Sequence, residues 1–237
     1  MKAVFFKELR SYFYTATGFL FISVFLALAS LLFYLNNILP RSSDFQPFLS
    51  MMGYVFMLLT PMLVMRLLAG EKKAMTESLL RSAPLGVPAL VTGKYLAACT
   101  VLLAAVIASA AYPLLLSLMG RVYPLEVLTG FFGLTLQGCA FIALDLMVTS
   151  NLKNTASAAA LAFGVNLFVW LYSLLSNSAA IPHALSETLR FLSLYGRFIP
   201  FLSGQFSPAN TLFYLLFILS MLALSSAAIL LGRARRT

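Results

Sequence analysis

The sequence predicts an all-α integral membrane protein with six transmembrane helices. It adds an N-terminal interfacial helix, a short cytoplasmic helix between spans two and three, and short outer-side helices before span six. Three observations predict this. Of 237 residues, 61% are hydrophobic and only 10% charged, where a soluble domain carries about a quarter charged. Six apolar runs reach the roughly 20 residues that a helix needs to cross a bilayer. Those runs are continuous rather than alternating, so nothing suggests a β-barrel.

In chain order, the spans fall at about 18–39, 48–68, 89–119, 125–149, 155–175 and 211–231, in a single transmembrane domain covering 1–237. Before the first span, "MKAVFFKELRSYFYTATG" sets Phe5, Leu9, Tyr12 and Phe13 near one helical face, with Lys7, Glu8 and Arg10 mostly away from it. That pattern suits a helix lying along the inner leaflet. The first apolar run is longer than a signal-peptide core and lacks a small-residue cleavage exit, so it reads as a retained span. The third run is long enough to tilt or protrude, and Pro61 and Pro113 kink their helices. Residues 176–210 mix short apolar stretches with Pro182, Pro200, Pro208, Gly196 and Gly204. This composition fits short interfacial or re-entrant helices better than an open loop.

The net charge of +9 does not point to nucleic acid, because the basic residues sit singly between spans rather than in a phosphate-tracking stripe. They set orientation instead. With the N-terminus in the cytoplasm, twelve Lys and Arg fall inside and four outside: Arg41, Arg121, Arg190 and Arg197. Both termini are therefore expected to be cytoplasmic.

Catalytic chemistry is sparse. His183 is the one histidine and stands alone beside Pro182, whereas a metal centre needs several ligands. Cys99 and Cys139 lie in separate apolar runs and imply no disulfide framework. There is no Gly-rich phosphate loop, so any ATP hydrolysis must come from another chain. Asp145 is the one carboxylate well inside an apolar run. One turn from the inner end, it reads as an inner-boundary ion pair with Arg66 or Lys94 rather than as a transport group. Asn36, Asn37, Gln137 and Asn166 read first as interhelical hydrogen bonders, and the small-residue runs as close packing. No internal repeat supports an inverted-repeat carrier.

The long polar interruption lies between spans two and three. Thr76 suits an N-cap, Glu77 the first turn, and Pro84 a stop at or before Ala83. Met75, Leu79 and Leu80 form an apolar strip opposite Lys73, Glu77 and Arg81. A helix of about 10 Å is too short to stand alone in water, so the inner leaflet or a partner protein must hold it.

Five stretches carry a resemblance: "KELRSYFYTATGF" (7–19), "GEKKAMTESLLRSAPLG" (70–86), "TGKYLAA" (92–98), "SNLKNTASAA" (150–159) and "FLSGQFSPANTLFYL" (201–215). In this order and spacing the chain resembles permease subunits of type-2 ABC exporters, in particular the gliding-motility-type branch. It departs from the common pattern at Gly70 and Met75. The resemblance implies a bacterial inner-membrane export subunit, itself no enzyme, that pairs with a second permease, identical or related. ATP and Mg would be bound by separate ABC ATPase subunits. It further implies that residues 71–83 form a coupling helix seated in the ATPase, with Glu71, Lys72, Lys73, Met75, Thr76, Glu77, Leu79, Leu80 and Arg81 as contacts. Phe5, Lys7, Glu8, Leu9 and Arg10 would belong to the interfacial helix against membrane lipid. The family exports polysaccharides, lipids, drugs and peptides, so no substrate follows. The alternative is a non-transporting membrane anchor or assembly subunit of a larger envelope complex, marked by a partner that is not an ATPase.

Overall fold

A computed structural model describes residues 1–67, 86–118, 120–152, 154–176 and 193–234. In chain order the helices are α1 (Lys2–Tyr14), α2 (Thr17–Phe33) running into a π turn (Tyr34–Ile38), α3 (Gln46–Val64) and α4 (Val87–Ser109). They continue as α5 (Ala111–Ser117), α6 (Pro124–Thr149), α7 (Thr155–Ser176), α8 (Leu194–Leu202) and α9 (Pro208–Ala234). No strand occurs among the described residues. Six helical stretches are long and apolar enough to cross a membrane: Thr17–Ile38, Gln46–Val64, Val87–Ser117, Pro124–Thr149, Thr155–Ser173 and Pro208–Gly232. They coincide with the six predicted runs, and the chain is a multi-pass helical membrane protein. The predicted coupling helix at 71–83, His183 and residues 177–192 of the region before span six lie outside the described residues.

Local chemistry sets the boundaries. Pro47, Pro88 and Pro124 occupy first turns of α3, α4 and α6, where a missing N–H costs nothing. Between α1 and α2, Ala16 takes a left-handed conformation (φ 57°), so the two helices do not run on as one. In the third span, Pro113 has no N–H to give the Ser109 carbonyl, and α4 ends at Ser109. The chain tightens there through Ala110 N–H to Ile107 O (3.1 Å) and resumes as α5. At the end of α2, Asn37 is fully buried and donates Nδ2 to Ser42 O (3.2 Å) and Asp44 O (2.7 Å), tying the π turn to the loop that follows. Before α8, the Ser193 hydroxyl caps the helix by accepting the Gly196 N–H (3.0 Å), and Gly204 beyond its end adopts φ 75°.

The helices α3 and α6 form the centre: 61% of each span window is buried, against 17% in α7 and 22% in α9. Where lipid is as apolar as leucine, close van der Waals fit supplies the association. Here it comes from Phe25 stacked on Phe56 (5.0 Å between ring centres) and on Phe21 (6.3 Å), and from glycines on α6. A Cβ at Gly133 would lie 2.6 Å from the Cβ of Phe201 in α8, an atom that no rotamer change can move. Gly133→Ala is therefore expected to cost about 1–3 kcal/mol, read as a lowered melting temperature of the purified chain. Gly130→Ala, whose one close contact is with Cδ1 at the end of the Leu49 side chain, should cost less.

Candidate functional site

The first polar cluster lies where α1 meets the end of α3 and the start of α4. A Cβ at Gly93 would stand only 3.1 Å from Val4 Cβ, so glycine lets α1 lie directly on α4. One turn along α1, Glu8 turns inward and Lys94 of α4 meets it: Lys94 Nζ lies 3.1 Å from Glu8 Oε1 and also donates to the Leu67 carbonyl. Lys94 is completely buried and Glu8 is 7% exposed, while Lys7 reaches the same carboxylate from the rim at 3.3 Å. Tyr12, a further turn along, donates its hydroxyl to Leu63 O (2.7 Å). Burial and the Glu8 carboxylate push the Tyr12 phenol well above its usual range, so it stays a hydrogen-bond donor at any working pH. Arg66 donates to the Thr17 hydroxyl at 2.7 Å. Through Lys94, α1 is thus joined to Leu67 at one flank of the polar segment 68–85 and to α4, the helix that begins just beyond the other flank.

Two sequence expectations change here. Of the residues grouped on the leaflet face of α1, Tyr12 packs into the protein instead, on a buried face with Val4 and Glu8. Phe5 and Leu9 are only partly buried, and Phe13 faces outward against Phe19. Glu8 faces the protein because Lys94, 86 residues away, supplies its countercharge. Nor do Arg66, Lys94 and Asp145 form one ion-paired set. Lys94 takes Glu8 and Arg66 takes Thr17, while both carboxylate oxygens of Asp145 are buried without a hydrogen-bond partner.

The second cluster sits between α3, α6 and α7. Pro61 lies inside α3, so the Met57 carbonyl one turn earlier has no main-chain donor. Asn166 of α7 fills that place: its Nδ2 donates to Met57 O at 3.0 Å and to the Thr60 hydroxyl at 3.3 Å. Asn166 Oδ1 is left buried and unpartnered. The Asp145 side chain faces Thr60 and Asn166 without reaching hydrogen-bond geometry with either. The sequence marked Asp145 and Asn166 as polar groups at membrane depth, but nothing in it joined them to Thr60. Pro61 was the readable signal, since an interior proline always leaves a carbonyl that needs a donor.

Toward the opposite end of the bundle, Tyr195 of α8 stacks on Tyr54 of α3 (4.6 Å), whose ring meets Trp170 of α7 edge-on (6.4 Å). Tyr195 also shares a hydrogen bond with Ser50, and Gln137 faces this region with Oε1 buried and unpartnered. This rim closes a void of only about 10 Å³, room for one water and nothing larger. No group of three or more His, Cys, Asp or Glu is gathered among the described residues. A scan against protein-family models and a search of curated proteins both find no match.

Proposed function

We propose that the chain is a permease subunit of a type-2 ABC exporter in a bacterial cytoplasmic membrane, both termini inside. In this reading it pairs with a second permease subunit and is driven by separate ATPase subunits that hold ATP and Mg. The observation that carries the reading is the Glu8–Lys94–Leu67 joint. It fastens α1 to the end of α3 and the start of α4, the two helices that flank the polar segment. A displacement of that segment by a docked ATPase would pass to α1, α3 and α4 through this joint. Lipid binding fits α1 as well: Phe6, Phe13 and Tyr14 are exposed beside Lys7 and Arg10, an arrangement that suits the headgroup boundary.

The test is co-purification. Solubilised from its native membrane, the intact chain should carry a P-loop ATPase with it. A stoichiometric partner without nucleotide-binding chemistry would replace this reading with that of a non-transporting anchor or assembly subunit.

A further inference from the structure

The cluster between α3, α6 and α7 contains more acceptors than its neighbours can satisfy. Asp145 and Asn166 are fully buried, and three of their oxygens, Asp145 Oδ1 and Oδ2 and Asn166 Oδ1, lack partners. Thr60, also fully buried, offers one hydroxyl hydrogen between them. The two side chains acting on Asp145, Thr60 of α3 and Asn166 of α7, are uncharged. Among the described side chains of the other helices packed against α6, Lys94 of α4 is held by Glu8 and Arg197 of α8 by Asn210 Oδ1 (2.9 Å). A carboxylate so buried, with uncharged neighbours and no completed hydrogen bond, is strongly unfavourable unless positive charge enters beside it.

We propose that Asp145, Asn166 and Thr60 form a binding site for one monovalent cation, H⁺ or Na⁺. The carboxylate, amide and hydroxyl oxygens of these three residues are the donor types that suit a hard cation. A proton neutralises the carboxylate, and Thr60 can donate its hydroxyl to the remaining Asp145 oxygen. A sodium ion would take the same oxygens as ligands. The site links three spans and does not depend on the transport reading. It lies one turn from the end of α6 at Thr149, about 6 Å of helix rise.

The experiment uses the full chain in liposomes. Bound H⁺ predicts a protonated-carboxyl carbonyl band in the infrared spectrum. That band shifts in D₂O, disappears in Asp145→Asn and moves in Thr60→Val. Bound Na⁺ predicts no such band and a melting temperature that rises in NaCl but not in choline chloride of equal ionic strength, a dependence lost in Asp145→Asn. The D₂O and sodium measurements on the native chain require no variant to fold. A native chain with neither the band nor the sodium dependence overturns the proposal.

Discussion

Lys94→Met is expected to destabilise the chain by about 3–5 kcal/mol, the range for removing one member of a buried ion pair. Methionine fills nearly the same volume, so the effect measures charge and hydrogen bonding rather than a cavity. The substitution leaves the Leu67 carbonyl without this donor and leaves Glu8, 7% exposed, to be served by the rim residue Lys7. Lys7 is 55% exposed and screened by water, so it offsets only a small part of the loss. Combining Lys94→Met with Glu8→Gln removes the stranded charge, and the double variant should be more stable than the sum of the single effects predicts. Thermal or denaturant unfolding in detergent gives the cycle. Single effects that add to within about 0.5 kcal/mol would show that the two residues do not act as a pair.

Asn166→Leu is the second large effect, expected at about 2 kcal/mol. Hydrogen bonds between transmembrane helices average well under 1 kcal/mol, because a separated helix finds other partners. Met57 O is a special case: Pro61 denies it the main-chain N–H in any helical state, so losing Asn166 leaves a buried carbonyl without its donor. Pro61→Ala returns that N–H. In the Pro61→Ala background, the cost of Asn166→Leu should fall to about the ordinary interhelical value. An equal cost in both backgrounds would mean that Asn166 does not serve the proline-broken carbonyl.

The spans were legible because twenty apolar residues in a row have one stable environment, and the break after Ser109 follows from Pro113 alone. The orientation of α1 was not legible. Its hydrophobic pattern favoured Phe5, Leu9, Tyr12 and Phe13, and only the fold could show that a distant lysine turns Glu8 inward. Asp145 was misassigned for a related reason. Arg66 and Lys94 share its end of the bundle by sequence order, but each had a nearer acceptor once α1 folded back and the α2 start came alongside. The π turn at Tyr34–Ile38 had no sequence signal of its own; Asn37 reveals its part only through the carbonyls of Ser42 and Asp44. The role assigned to 71–83 rests on the apolar strip of Met75, Leu79 and Leu80 and on the joint that ties α1 to Leu67 and α4.

That role has one direct measurement. The native chain and a Leu79→Asp/Leu80→Asp double variant are purified from membranes, and any co-purifying ATPase and its ATP turnover are quantified. Two charges on the apolar strip should abolish co-purification and stimulated hydrolysis while the melting temperature of the chain stays unchanged. An intact complex with full ATPase stimulation in the double variant would contradict the entry of energy through this segment.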